Sequence, residues 1–306
     1  MIEYREKGTV IHKLNPFCKL AWAGSVLALA LIVDHPLFLL LLFLSTLLVV
    51  VAAKVWQEWA SFIRFALYLC VAIVVVNALV SYHGSHVLLQ APFRIPVMGT
   101  PTITLEAMFY GAAMCLRLLA IISAFAILTF TVHPDDMMLS AIKMRLPYKS
   151  VLVTSLSTRF VPTLIDDVGR ITDAQRSRGL ELDEGRLLRR LRGRMSIIIP
   201  LLSNSLDRAI QVAEAMESRA FGNGARRTFY KEIRLSAVDG IGLLLALLPL
   251  ALGIWMRLAG YGGYHYYPTS EGVNLGGLGW AMVIVLILLV SAVVPLAFVK
   301  RKVDLD

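Results

Sequence analysis

Cysteines and charged residues are both scarce in this chain. Only three of its 306 residues are cysteine, at Cys18, Cys70 and Cys115, and they lie in or beside apolar segments without paired spacing. We interpret them as small buried apolar residues, since neither a disulfide nor a metal site is indicated. Charged residues make up 17% of the chain and apolar residues 58%, which excludes an ordinary soluble domain. The composition is that of a polytopic membrane protein.

Several catalytic signatures are missing as well. The sequence contains no GxxxxGK[ST] phosphate loop, no HExxH pair and no C-x-x-C pair. We therefore expect no catalytic residue, no metal site and no directly bound cofactor in this chain. ATP hydrolysis or metal catalysis would have to reside in other proteins.

Long apolar stretches are the main content of the sequence. A helix needs about 20 apolar residues to cross the ~30 Å hydrocarbon core of a bilayer. Six stretches reach or approach that length: 20–33, 37–53, 65–81, 104–131, 235–257 and 279–299. The first two are short and are joined by Asp34-His35-Pro36, so five or six spans remain possible. The predicted fold is all-α, with about five to six transmembrane helices plus cytoplasmic amphipathic helices.

The basic residues predict the orientation. Short loops rich in lysine and arginine stay in the cytoplasm. With the N-terminus inside, 27 of the 30 basic residues fall in cytoplasmic segments. We predict a multi-pass protein of the cell membrane with both termini cytoplasmic. The net charge of +9 then requires no nucleic-acid partner.

The composition divides the chain into three regions. Residues 1–132 form a membrane bundle of about four spans, and residues 235–306 add one or two more. Between them, residues 133–234 carry 18 basic and 12 acidic residues and are too amphipathic to be a linker. This middle region is expected to lie in the cytoplasm.

Two helices of the middle region show an apolar stripe at three- and four-residue steps. The stripes comprise Val161, Leu164, Val168, Ile171 and Gln175 in the first helix, and Leu202, Leu206, Ala209, Ala213, Met216 and Ala220 in the second. Asp167 and Arg208 fall on the polar sides. Pro200 suits a helix start and Gly222 a helix end. We expect the stripes to pack against each other and against a partner subunit.

Each stripe leads to an arginine between small residues. The two segments are Ser177-Arg178-Gly179 and Ser218-Arg219-Ala220, 41 residues apart. An arginine in the last turn interacts favourably with the partial negative charge of the helix C-terminus, and its planar guanidinium can bind a carboxylate with two hydrogen bonds. A single such site is commonly an ordinary capped helix end. Two in matching context indicate a pair of contact sites for a partner.

These segments resemble a known family. AQRSRG at 174–179, AMESRAFG at 215–222 and LNPFCKL at 14–20 are similar to the transmembrane T component of energy-coupling-factor (ECF) importers, the EcfT and CbiQ group. The resemblance implies two crossing coupling helices, each ending in a small-Arg-small motif that docks into one ATPase. The family usually has glycine where Ala220 stands.

The resemblance also implies the partners. Two ABC-type ATPase subunits would use ATP and Mg, and a small membrane protein, the S component, would bind the vitamin or metal ion. The T component would link the two and would not itself be an enzyme. The lipid bilayer is the remaining partner.

Two other function classes are compatible with the sequence. One is a permease subunit of a conventional ABC transporter with its own substrate path, because Glu214-Ala215 followed by Gly222 is weakly similar to the loop by which such permeases contact their ATPases. The other is an integral membrane enzyme, for which Asp135-Asp136 is the only candidate, although acidic residues there also suit a helix start. Arg117, inside the fourth stretch, is expected to pair with another span.

Overall fold

The structure is a computed structural model that describes residues 7–12, 14–80, 86–90, 102–143, 147–179, 187–222, 236–261, 263–266 and 277–303. The chain forms two compact units. The first comprises Met1–Met137 and Ile233–Asp306, and the second comprises Met138–Glu232.

Helices make up most of both units. In chain order they are α1 (Pro16–Ile32), α2 (Pro36–Ala53), α3 (Trp56–Val80), α4 (Leu105–Thr131), α5 (Pro134–Lys143), α6 (Tyr148–Ser177), α7 (Leu187–Ser218), α8 (Ala237–Leu258), α9 (Gly277–Ser291) and α10 (Val293–Val303). A short antiparallel hairpin of β1 (Val87–Gln90) and β2 (Thr102–Thr104) lies between α3 and α4. The predicted all-α class is confirmed, and the hairpin is an addition that the hydropathy pattern does not predict.

Five helical runs in the described residues are long and apolar enough to cross a membrane. They lie in α2, α3, α4, α8 and the run Gly279–Lys300 that α9 and α10 share. The apolar helix α1 is shorter, with 17 residues. At 1.5 Å per residue it is about 26 Å long, slightly less than a bilayer core of ~30 Å. The chain is a multi-pass membrane protein, and its described residues include five full-length candidate spans and one shorter apolar helix.

Helix starts follow capping residues more closely than they follow hydropathy. The Asn15 side chain accepts a hydrogen bond from the Phe17 amide at 3.1 Å, and Pro16 occupies the first helical position. The Thr104 hydroxyl likewise accepts from the Ala107 amide at 3.3 Å. Consequently α1 begins four residues before the apolar stretch that predicted it. Hydropathy locates the apolar part of a helix, and the cap locates its end.

The last apolar run is interrupted at Ala292. Pro295 has no amide hydrogen to donate to the carbonyl of Ser291, the residue four positions before it. The helix therefore ends at Ser291 and restarts at Val293. The single run predicted over 279–299 is in fact two helices.

The core of the first unit lies between its apolar helices. Val26 and Leu29 of α1 and Phe38 of α2 are at most 1% exposed. Helices α1 and α8 approach closely, because a Cβ placed on Gly253 would lie 2.1 Å from Cδ2 of Leu29. Any larger residue at position 253 would have to displace this fully buried leucine.

A buried carboxylate joins three segments of the first unit. Asp239 in the first turn of α8 accepts from Lys300 Nζ at 2.6 Å and from Asn15 Nδ2 at 3.3 Å. It also accepts from the Ser236 amide at 3.1 Å, completing a capping box. The starts of α1 and α8 are thereby tied to the last helix.

Arg117 finds its partner at the turn between α1 and α2. One guanidinium nitrogen donates to Asp34 Oδ1 at 2.8 Å and to the Val33 carbonyl at 3.0 Å. Arg257 at the end of α8 approaches the other carboxylate oxygen at 3.1 Å. The sequence predicted a partner in another span, whereas Asp34 lies in the turn between two helices. The cluster connects α4, α8 and this turn.

Candidate coupling site

Helices α6 and α7 form most of the second unit. Both contain an internal proline, Pro162 in α6 and Pro200 in α7. The sequence predicted that Pro200 starts its helix, and this is wrong, because α7 begins thirteen residues earlier at Leu187. A proline inside a helix leaves one backbone carbonyl without its helical hydrogen-bond donor. The proline is tolerated when another group donates to that carbonyl.

For Pro200 the other donor comes from the neighbouring helix. A residue at position 200 would normally donate its amide to the carbonyl of Ser196. In the structure, the Gln175 side-chain amide of α6 donates to that carbonyl at 3.3 Å. Gln175 of α6 thus replaces the hydrogen bond that Pro200 cannot donate, and this bond links the two helices.

A second contact between the helices is an ion pair. Asp167 of α6 accepts from Arg208 of α7 at 2.8 Å and also from Arg170 of α6 itself. The Asp167 side chain is only 8% exposed, whereas Arg208 is 30% and Arg170 73% exposed. The hydrogen bond from Arg208 is the main cause that lowers the pKa of the Asp167 carboxyl. The carboxylate is therefore charged at neutral pH and bridges α6 and α7.

The sequence placed Asp167 and Arg208 on the outward polar sides, and the structure contradicts this. Two signals could have identified the pair. The charges are opposite, and each residue stands the same number of positions before its motif arginine. A hydropathy stripe ignores both signals, because it assigns charged residues to solvent.

The contacts run in opposite order along the two helices. Near the start of α6, the Tyr148 ring lies 6.4 Å from that of Phe221, which follows α7. Asp167 meets Arg208 farther along α6, and Gln175 meets Ser196 near its end. The two helices are therefore antiparallel, and we call them the helix pair.

The two motif arginines lie at opposite ends of the helix pair. Arg178 follows Asp167 by eleven residues, and Arg219 follows Arg208 by eleven. With a rise of 1.5 Å per residue, the two helix ends are about 33 Å apart along the pair. The structure thus separates the motifs and does not gather them into one cluster.

In both motifs the arginine is followed by a residue with a left-handed φ. Arg178 is the C-cap of α6, and Gly179 after it has a left-handed φ of +82°. Arg219 likewise follows the last residue of α7, and Ala220 after it has a φ of +55°. Ala220 N donates to the Glu217 carbonyl at 2.8 Å and Phe221 N to the Met216 carbonyl at 2.9 Å, which is the Schellman pattern.

The serines of the motifs close the last helical turns. The Ser177 hydroxyl donates to the Asp173 carbonyl, and the Ser218 hydroxyl donates to the Ala215 carbonyl, both at 3.0 Å. All six motif residues are exposed: Ser177, Arg178, Gly179, Ser218, Arg219 and Ala220. Each arginine is thus presented on the surface of the chain by a fixed helix end.

Ala220 is strained in this position, and glycine there should relieve the strain. A left-handed conformation costs an alanine about 1 kcal/mol relative to glycine. We expect Ala220→Gly to raise the opening free energy of the last turn of α7 by up to about 1 kcal/mol, measured by hydrogen exchange on the purified protein. Ala215→Gly, inside the same helix, should lower it by a similar amount. Equal effects of the two glycines would contradict the cap assignment.

The apolar stripe predicted for α7 does not face α6. The α7 residues that are partly buried include Leu201, Ser205, Arg208 and Val212. Leu202 and Leu206 of the predicted stripe lie roughly a third of a turn away and are 59% and 56% exposed. In α6, Val161 and Val168 are also exposed, whereas Leu164, Ile171 and Gln175 are partly buried. The expectation that the stripes pack against each other is therefore wrong for most of their residues.

No metal centre is found in the described part of the chain. No group of three or more His, Cys, Asp or Glu side chains there could hold a metal ion. Asp135 and Asp136 lie in the first turn of α5, as expected for a helix start. The three cysteines are free thiols.

Comparison with known proteins places the chain in a family. The family model of CbiQ, described as a cobalt transport protein, matches residues 7–230. The chain is similar to the energy-coupling factor transporter transmembrane protein EcfT of Bacillus selenitireducens, with 29% identity over 84% of this chain and 97% of the relative. EcfT of Lactococcus lactis subsp. cremoris is 28% identical over 85% and 98%. EcfT of Streptococcus thermophilus is 37% identical over 47% of this chain and 56% of the relative.

The family model covers well over half of the chain, so the chain belongs to the CbiQ/EcfT family of energy-coupling factor transporter transmembrane proteins. The matched residues include α6, α7 and both motifs. Helices α8 to α10 lie beyond them.

Proposed function

We propose that this protein is the coupling subunit of an ECF-type importer, in which Arg178 and Arg219 each bind one ATPase. The observation that carries this proposal is the placement of two equivalent arginine caps at opposite ends of one antiparallel helix pair. A single ATPase contact would need only one such end. Two ends about 33 Å apart suit two separate ATPase subunits, identical or not.

The chemistry of each contact follows from the cap. The left-handed residue ends the helix abruptly, and the small neighbours leave room for the wall of a groove. The guanidinium can then enter a cleft and bind a carboxylate through two hydrogen bonds. ATP and Mg are bound and used by the ATPases, and the T component itself contributes neither a catalytic residue nor a cofactor.

A second surface of the helix pair suits the substrate-binding partner. Ile199, Leu202, Leu206 and Ile210 recur at three- and four-residue steps, and all four are more than half exposed. We call these four residues the apolar face of α7. Contiguous exposed apolar side chains typically mark interaction sites. We assign this face to the membrane S component, which would select the vitamin or metal ion.

The distribution of basic residues supports the orientation. The second unit and both termini lie in the cytoplasm in this proposal, because these segments hold most of the lysine and arginine. The protein is then a subunit of the cytoplasmic membrane, surrounded by lipid and without a nucleic-acid partner.

Co-purification and vesicle binding test the proposal together. The affinity-tagged protein should co-purify with two ATPase chains and one small membrane protein. Purified ATPases added to membrane vesicles should bind inside-out vesicles, which expose the cytoplasmic face, and should not bind right-side-out vesicles. Recovery with a second permease subunit would instead indicate a conventional ABC transporter. ATPase binding to right-side-out vesicles would refute the orientation.

A further inference from the structure

The ion pair between Asp167 and Arg208 divides the helix pair symmetrically. Eleven residues separate Asp167 from Arg178, and eleven separate Arg208 from Arg219. Each motif arginine is therefore about 16 Å from the ion pair along its helix. Because the helices are antiparallel, these two segments extend in opposite directions. We call them the arms of the helix pair.

Neither arm contains a proline. Pro162 and Pro200 stand five and eight residues before the ion pair, on the sides away from the motif arginines. A proline removes one backbone hydrogen bond and lets a helix bend. Bending at these prolines is thereby confined to the segments outside the arms. Eleven residues are close to three helical turns, so each arginine also lies on the helix face that carries the ion pair.

The ion pair is suited to hold the two arms together. Asp167 is almost fully enclosed, and its Oδ2 atom lies 2.8 Å from the Arg208 guanidinium. The bond to Arg170 stays within α6, so it contributes nothing to the link between the helices. Removing either residue breaks this link between the helices, because Arg170, the remaining partner of Asp167, belongs to α6 itself.

We propose that the Asp167–Arg208 ion pair is the positioning contact that fixes the distance between the two motif arginines. A displacement that one ATPase imposes on one end of the helix pair then reaches the other end, because both arms move about a shared fixed contact. This inference rests on the proposed function, since it assumes that both arginines bind ATPases. It assigns to Asp167 and Arg208 a role in coupling and none in ATPase binding itself.

Distance measurements test the positioning role directly. Spin labels are attached at Ala174→Cys and Ala215→Cys, two exposed positions outside the motifs, in full-length protein whose native cysteines have been replaced. In protein with the unmodified ion pair, pulsed electron paramagnetic resonance should give one narrow distribution of the distance between the two labels. Arg208→Leu and Asp167→Asn should each broaden it at least twofold. The second variant preserves side-chain shape and supports the test if the first fails to fold.

Arg170→Ala is the matched control. It removes the other partner of Asp167 but leaves the link between the helices, so its distance distribution should stay narrow. A distribution that remains narrow in Arg208→Leu and Asp167→Asn overturns the inference. The inference is also overturned if Arg170→Ala broadens the distance distribution as much as these two variants do.

Coupling provides the second measurement. In the reconstituted complex, Arg208→Leu and Asp167→Asn should still capture ATPases but should hydrolyse at least fivefold more ATP per substrate molecule transported. A purely structural role would lower hydrolysis and transport in proportion, and that result would overturn the inference. A different result would refute the proposed function itself, namely that the unmodified protein captures no ATPases.

Discussion

Replacing both motif arginines, as Arg178→Ala with Arg219→Ala, is expected to abolish ATPase capture and transport while leaving the protein folded and inserted. Both side chains are exposed in the chain, and the caps are formed by backbone amides that alanine retains. The change therefore removes the two contact groups and leaves the helix ends in place.

Each single variant should have a smaller effect than the pair. Loss of an arginine that is enclosed against an ATPase carboxylate costs about 2–5 kcal/mol, much of it from the carboxylate left unpaired. Because 1.4 kcal/mol is a tenfold change, a single contact should weaken by a factor of about 30 to several thousand. If the two ATPases associate, the intact arginine still holds them through the other contact. Pull-down and surface-binding measurements with purified ATPases would quantify this.

Arg176→Ala is the matched control for Arg178→Ala. It removes the same charge from the same last turn of α6 but lies before the cap. It should keep ATPase capture within about fivefold, because helix-end electrostatics alone are worth only about 0.3–1 kcal/mol at the surface. The coupling assignment would be wrong if the double variant still captured ATPases as well as unmodified protein does.

The membrane helices and the motif ends could be predicted because local chemistry determines them. An apolar stretch of about 20 residues has few alternatives to a spanning helix. At the ends of α6 and α7, the small residue after the arginine adopts the left-handed conformation that ends a helix, Gly179 without strain and Ala220 at a small cost. These features depend on a few neighbouring residues, so they can be predicted from the sequence.

The packing of α6 against α7 could not be predicted in the same way. The stripe assumed that apolar side chains face the nearest helix, but this face contains an ion pair and the glutamine that serves Pro200. Both contacts join residues that are distant in sequence, 41 residues apart for Asp167 and Arg208. Amphipathic periodicity identifies an apolar face but does not say whether the chain itself or another protein covers it.

The effect of a charge on the apolar face of α7 depends on whether α6 or another protein covers that face. If Leu206 were packed against α6, Leu206→Asp would bury an unpaired carboxylate and disrupt the helix pair. Because Leu206 is more than half exposed, the variant should instead fold with an intact helix pair. We expect it to lose the S component, since the new carboxylate would be desolvated only in that interface.

The test compares Leu206→Asp with Asn204→Asp, which introduces the same side chain on the same helix at an exposed position outside the apolar face. Leu206→Asp should reduce recovery of the S component at least tenfold and stop vesicle uptake, while ATPase capture through Arg178 and Arg219 continues. Asn204→Asp should leave all three unchanged, since its carboxylate stays in water. Normal uptake by Leu206→Asp would show that this face meets no partner, and loss of ATPase capture would show that α6 and α7 need it for their own packing. Retained ATPase capture without uptake is the result expected if the helix pair binds ATPases at its ends and the S component along the apolar face of α7.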